Sequence, residues 1–143
     1  MTNDEKRKCS VLIPYKIKGG EVLVYLQKRS DNAKRAPGKF GFFGGGIDGA
    51  ETPEQALVRE IKEELDYTPD NFLYLEEFEK VWNLERTVLN VFCQQVGENF
   101  ESQIKVLEGD YGQWFRESEA LSHEKVMDGD KRVLKDFFQK LKH

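Results

Sequence analysis

The sequence predicts an α+β fold in which a mixed sheet lies between helices, an α/β/α sandwich. Three observations carry this expectation. β-rich runs at 10–17 and 21–27 flank a tight turn, a strongly capped helix occupies 53–65, and an amphipathic helix closes the chain at 130–141. At 143 residues, with no repeats, linkers or low-complexity stretches, the chain reads as one domain, 1–143, long enough to bury a core.

The first two runs meet at Lys18-Gly19-Gly20, a hairpin signature. Residues 30–39 are polar and read as a loop. Residues 40–43 and Ile47 form short strand segments on either side of Gly44-Gly45-Gly46. Thr52-Pro53-Glu54-Gln55 is a capping box with proline at the first helical position, and the helix it opens runs free of glycine to about Leu65. Leu57, Val58, Ile61 and Leu65 make its packing stripe. Residues 72–82 and 86–96 read as antiparallel strands joined through 83–85, followed by short strands at 103–108 and 112–115. In the last helix Val133, Leu134, Phe137, Phe138 and Leu141 repeat at helical spacing.

The segment from Gly44 to Asp66 carries the chemistry. A glycine loop lets backbone approach phosphate, and it leads into a helix bearing Glu60, Glu63 and Glu64 at i, i+3 and i+4. Like charges at that spacing repel by a few tenths of a kcal/mol per pair. Glu63, Glu64 and Asp66 also sit near the helix C-terminus, where the macrodipole disfavours anions by roughly 0.3–1 kcal/mol each. Arg59 and Lys62 are too few to neutralise them. A divalent cation held by the carboxylates relieves this strain; a solvated acidic face is the alternative.

Gly45, Glu51, Arg59, Glu60, Ile61, Glu63 and Glu64 fit the pattern G-x5-E-x7-R-E-U-x-E-E-x-G-U, with U aliphatic. The segment therefore resembles the Nudix box. Asp66 and Tyr67 depart from its final glycine and aliphatic residue, which bears on the turn that ends the helix. Gln27-Lys28-Arg29, residues 37–41, and Glu108-Gly109 followed by Trp114-Phe115 extend the resemblance over about 10–141.

The resemblance implies an α/β/α sandwich that hydrolyses a nucleoside diphosphate linked to another moiety. It implies Glu63 and Glu64 as metal ligands, Glu60 as a further ligand or the general base, and the Gly44 carbonyl as an additional oxygen ligand. Arg59 orients a carboxylate or makes a surface ion pair, Glu51 ties loop to helix, and Glu108 is a ligand, the base, or an ordinary loop acid. Glu60, Arg59, Glu63 and Glu108 are thus the catalytic set. Mg²⁺ suits this all-oxygen site, with Mn²⁺ as a substitute. Lys28, Arg29, Lys34, Arg35 and Lys39 steer a polyphosphate toward the Gly45 loop or form a solvated basic stretch. Phe42, Phe43, Trp82 or Tyr111 stack on a base or belong to the core, and Asp128 hydrogen-bonds the base.

The region near 82–85 lacks the proline that accompanies ADP-ribose hydrolysis in the family and the tyrosine that accompanies dinucleoside polyphosphates. That favours a nucleoside triphosphate, including an oxidised one, cleaved to monophosphate and pyrophosphate. A nucleotide-sugar or dinucleotide hydrolase and a non-catalytic nucleotide sensor are the alternatives. A homodimer is the assembly common among similar proteins.

Composition excludes other classes. Net charge −4 and pI near 5.3 argue against a nucleic-acid coat. No apolar run spans a bilayer, and residues 1–8 form no apolar leader. With Cys9 and Cys93 isolated, the expectation is a cytoplasmic protein with reduced thiols. No Gly-Lys-Ser/Thr follows the glycines, and His123 and His143 complete no triad.

Overall fold

The computed structural model describes residues 6–82 and 84–142. The elements run β1 (Arg7–Lys18), β2 (Glu21–Lys28), β3 (Phe40–Gly41), β4 (Phe43–Gly46), α1 (Pro53–Leu65), β5 (Leu73–Trp82), β6 (Glu85–Gln95), α2 (Phe100–Gln103), β7 (Tyr111–Arg116), α3 (Glu117–Ser122) and α4 (Asp128–Leu141). The sheet is mixed: β1 and β6 pair in parallel, from Arg7 opposite Thr87 to Tyr15 opposite Gln95, while the other named strands of the described residues pair antiparallel. Its path is β3-β2-β1-β6-β5, with β4 on β1 and β7 on β2.

One edge of β1 has two partners. Residues 15–18 pair with β2, and residues 9–12 pair with the glycine strand β4. Alternation along β1 sends Val11, Ile13 and Tyr15 into a core with α4, which contributes Val133, Leu134, Phe137 and Phe138. Leu12 faces the opposite way, into a core with Leu57, Ile61 and Leu65 of α1 and with Phe43 and Phe92. Helices on both faces make the expected α+β sandwich. Cys9 and Cys93 are buried and free, and among the described residues no helix is long and apolar enough to cross a membrane.

α1 follows from its ends. The Thr52 hydroxyl accepts from Gln55 N–H (3.1 Å), and the Gln55 side chain accepts from Thr52 N–H (2.9 Å). Thr52→Ala removes one of these bonds and is expected to cost about 1 kcal/mol, read as a lower midpoint in denaturant. The buried Ser10 hydroxyl donates to the Pro53 carbonyl (2.7 Å), fixing the helix start to β1.

Two sequence expectations are corrected. Residues 103–108 are not a strand: α2 ends at Gln103 and an irregular segment follows. Ile104 and Val106 do alternate inward, but Lys105 and Leu107 donate their N–H groups to the Leu65 and Glu64 carbonyls rather than to a strand. The short helices α2 and α3 are not marked by the sequence pattern; at the start of α3 Glu119 accepts from Arg116 N–H (2.9 Å). Ile47 lies just past β4, and Asn83 and His143 lie outside the described residues.

Candidate active site

Gly44 has φ +136°, and a Cβ there would overlap the Ser10 carbonyl oxygen. Only glycine lets β4 lie this close to β1 in that conformation. The Gly44 N–H donates to Glu64 Oε1 (2.7 Å), so the glycine strand is bonded directly to the helix carboxylate.

Arg59 knots the connection between β4 and α1. Its Nε and Nη2 hold the two oxygens of Glu51 (2.8 and 2.9 Å), Nη2 also reaches the Gly46 carbonyl (2.9 Å), and Nη1 donates to Glu60 (3.0 Å) and Glu63 (3.4 Å). Glu51 in turn accepts from Asp48 N–H (2.8 Å). The guanidinium, assisted by that N–H, holds the Glu51 carboxyl down at about 2, and Glu51 is the main cause of a raised Arg59 pKa.

A cavity of about 280 Å³ opens beside this knot. Glu60, Glu64 and Glu108 line it together with the backbone of Gly44, Gly45 and Gly46. Further round its wall are Phe40, Phe42, Arg29, Lys80 and Asp130. Glu64 is 4% exposed. Burial pushes its carboxyl up to about 8 against the pull of the Gly44 N–H, and the charges of Glu108 and Glu60 push the same way. Glu60 is raised by burial against the pull of Arg59, with Glu63 and Glu108 adding. Burial lowers Arg29.

The donors are hard oxygens, and their mutual repulsion is what a divalent cation would cancel. Among the described residues no three acidic, cysteine or histidine side chains already converge on one point. The fit therefore lies in donor chemistry and crowded charge: a buried carboxyl whose ionisation both burial and its two neighbours oppose.

The cavity brings together most of the residues anticipated from sequence. Glu60, Glu64, Glu108, Gly44, Gly45, Arg29 and Phe42 line it, and Arg59 touches it through Glu60. Glu63, Lys39 and Asp128 stand outside the wall. Glu63 is half-exposed and leans on Arg59; Asp128 is exposed at the first residue of α4. Phe43 is fully buried in the α1-side core, so it cannot stack on a ligand. Tyr111 lies edge-on to Phe40 at 6.1 Å, outside the wall. The Trp82 side chain lies outside the described residues.

Sequence reasoning missed Asp130 and Lys80. Asp130 is 3% exposed and its Oδ1 accepts from Lys80 Nζ at 2.7 Å. Its Oδ2 lies toward Gly41, 3.6 Å from where a Cβ would stand. The carboxylate placed by α4 at the cavity is thus Asp130, two residues beyond the one anticipated.

α1 ends as its unusual sequence demands. Asp66 adopts φ 49°, ψ 45° and donates its N–H to the Lys62 carbonyl (3.0 Å), while its carboxylate pairs with Lys62 Nζ at 2.9 Å on the exposed surface. Glycine meets this left-handed geometry without strain, and the exposed ion pair is worth little. Asp66→Gly is expected to leave turnover nearly unchanged and thermal stability equal or slightly higher. A large loss of turnover would give Asp66 its own part in the site.

Residues 6–137 match the family model described as the NUDIX domain. Over 56 residues, 39% of this chain, the sequence is 43% identical to 8-oxo-dGTP diphosphatase of Escherichia coli (strain K12), covering 43% of that protein. Over 63 residues, 43% of this chain, it is 40% identical to peroxisomal coenzyme A diphosphatase NUDT7 of Mus musculus, covering 27% of it. The match thus spans less than half the length of either curated relative. The fold resembles a C. elegans Ap4A hydrolase binary complex with a TM-score of 0.77 at 18% identity, over 95% of this chain and 98% of that one.

Proposed function

The chain belongs to the NUDIX domain family, and from that premise we propose that it is a divalent-cation-dependent hydrolase of a nucleoside diphosphate linked to another moiety. The substrate we favour is a nucleoside triphosphate, including an oxidised one, cleaved to monophosphate and pyrophosphate. One observation carries this reading: three carboxylates, Glu60, Glu64 and Glu108, share a cavity wall with the glycine backbone of β4.

A bound Mg²⁺, or Mn²⁺ in its place, would neutralise phosphate oxygens and make a water more acidic. Glu64 would hold it together with whichever of Glu60 and Glu108 does not serve as the base, with the Gly44 carbonyl available beside them. Glu60 or Glu108 would take the proton of the attacking water, and Arg59 would keep the Glu60 carboxylate oriented through its 3.0 Å bond. Arg29, whose guanidinium is half-buried at the cavity, would draw a phosphate inward. At the far wall Phe42 offers an apolar face and Asp130 an acceptor for base N–H groups. The partial match to 8-oxo-dGTP diphosphatase supports the triphosphate choice.

The test is a phosphate- and pyrophosphate-release screen with Mg²⁺, run beside the Glu64→Gln protein. The panel holds plain and oxidised nucleoside triphosphates, nucleotide sugars, coenzyme A, ADP-ribose and dinucleoside polyphosphates. A preferred substrate that the variant cannot cleave upholds the reading. Preference for a nucleotide sugar or dinucleotide replaces the triphosphate, and silence across the panel sinks hydrolysis in favour of nucleotide sensing.

A further inference from the structure

Lys28 is a buried lysine on β2, 8% exposed, that does not reach the cavity. Burying an ammonium is costly unless it is paired and hydrogen-bonded. Lys28 Nζ donates to the Asp110 carboxylate (3.2 Å) and the Arg29 carbonyl (3.1 Å), with Asp31 at 3.7 Å. The Lys28 carbonyl accepts from Asp110 N–H (2.8 Å). Its neighbour Gln27, 2% exposed, donates Nε2 to the Glu108 carbonyl (3.2 Å). Between them Gly109, at φ +79°, lies so close to β2 that a Cβ would stand 2.9 Å from the Lys28 carbonyl oxygen and 3.0 Å from Gln27 Cγ.

Before Glu108 the chain is tied elsewhere. Leu107 N–H donates to the Glu64 carbonyl (2.7 Å), and Lys105 N–H to the Leu65 carbonyl (2.8 Å). Those carbonyls are among the last four of α1, which the helix itself leaves unpaired. Glu108 is therefore clamped between the end of α1 and the end of β2, and one jaw is the backbone of Glu64. The segment has no strand ladder of its own to hold it.

We propose that Gln27, Lys28 and Asp110 are positioning residues that hold the Glu108 carboxylate at the cavity beside Glu60 and Glu64. They touch neither substrate nor reacting atoms; they act through the backbone on either side of Glu108. The proposal rests on the hydrolase reading insofar as the Glu108 carboxylate works in turnover. A carboxylate on an irregular segment is useful only if neighbouring groups restrict it, and a directional charged pair does that where an apolar contact would not. Glu108 lines the same cavity as Glu60 and Glu64, which is where the clamp delivers its carboxylate.

The experiment uses Lys28→Met and Asp110→Asn, each alone and each combined with Glu108→Gln, with two readouts. Amide hydrogen exchange over residues 105–110 is expected to quicken in both single variants. Turnover is expected to fall by up to about 100-fold with KM little changed, the scale that a roughly 1 Å displacement of a catalytic group produces. In the Glu108→Gln background the same substitutions should alter kcat by less than about twofold, because the carboxylate they position is gone. Equal fold-losses in both backgrounds, or unchanged exchange in both single variants, would overturn the proposal. Should Lys28→Met fail to fold, Asp110→Asn decides the matter. The exchange readout needs no turnover, so a protein that cleaves nothing in the panel sinks the hydrolase reading while exchange still decides the clamp.

Discussion

Glu64→Gln is expected to lower turnover by roughly 100- to 1000-fold, the scale seen when one preorganised charge-stabilising group is removed, while the protein stays folded. The amide is isosteric and keeps an oxygen to accept the Gly44 N–H, so the bond between β4 and α1 survives. What disappears is the negative charge in the cavity. In metal-free protein the same change should reshape stability against pH. Glu64 sits at about 8 when folded against an ordinary 4.5. Its contribution to stability is therefore complete below about pH 4.5 and is lost as pH rises through about 8, because ionising the buried carboxyl opposes folding. Wild type in chelator should lose melting temperature across that window, and Mg²⁺ should restore it most at the alkaline end. Glu64→Gln should show a shallower slope, the remainder coming from the other buried acids Glu60 and Asp130, and a smaller Mg²⁺ effect. Thermal unfolding at several pH values, with and without Mg²⁺, measures this beside kcat. Near-normal turnover, or a variant that keeps the full Mg²⁺ shift, would remove Glu64 from the site.

The two buried acids of the cavity share a sequence mark that spacing alone did not expose. Glu64 falls on the apolar stripe of α1, three residues after Ile61 and seven after Leu57. Asp130 falls on the stripe of α4, three before Val133 and four before Leu134. An acid on a packing stripe must either be neutral or face a partner, and each of these is pushed up by burial. Glu60, Glu63 and Glu64 look equivalent as a cluster, but at about 100° per residue Glu60 and Glu64 are only about 40° apart, whereas Glu63 stands about 100° from Glu64. That rotation leaves Glu63 half-exposed against Arg59 while the other two enter the cavity. Asp130 escaped notice because the helix was expected to begin there; it begins at Asp128, which moves Asp130 from an end position to an inward one. The capped helix and the first hairpin were legible because their signals are local: a reciprocal cap at Thr52 and a glycine pair at 19–20. The segment 103–108 was not, because its partners are the carbonyls of a helix some forty residues earlier, an arrangement no local pattern encodes.

Removing Lys80 tests the other end of the cavity. Lys80→Met is expected to cost about 3–5 kcal/mol near neutral pH, the usual penalty for breaking a buried pair from one side, and to lower the melting temperature by roughly 10 °C or more. Asp130 is 3% exposed, and burial already raises its carboxyl above the ordinary 3.8, with Lys80 the chief opposing influence. Without Lys80 that carboxyl rises further. A group raised on folding gives its full stabilisation below its unfolded pKa and loses it as pH climbs, so the penalty should be small near pH 4 and grow as pH rises. Adding Asp130→Asn to Lys80→Met removes the stranded charge and should recover most of the stability. If the double variant is as unstable as the single one, packing by the lysine stem rather than charge holds this wall. The same double variant separates structure from recognition. Asp130 lines the cavity, and with the ion pair gone but the fold restored, loss of its charged acceptor should raise KM for the preferred nucleotide while kcat holds. An unchanged KM would make the Lys80–Asp130 pair a brace for α4 on β5 and no part of base recognition.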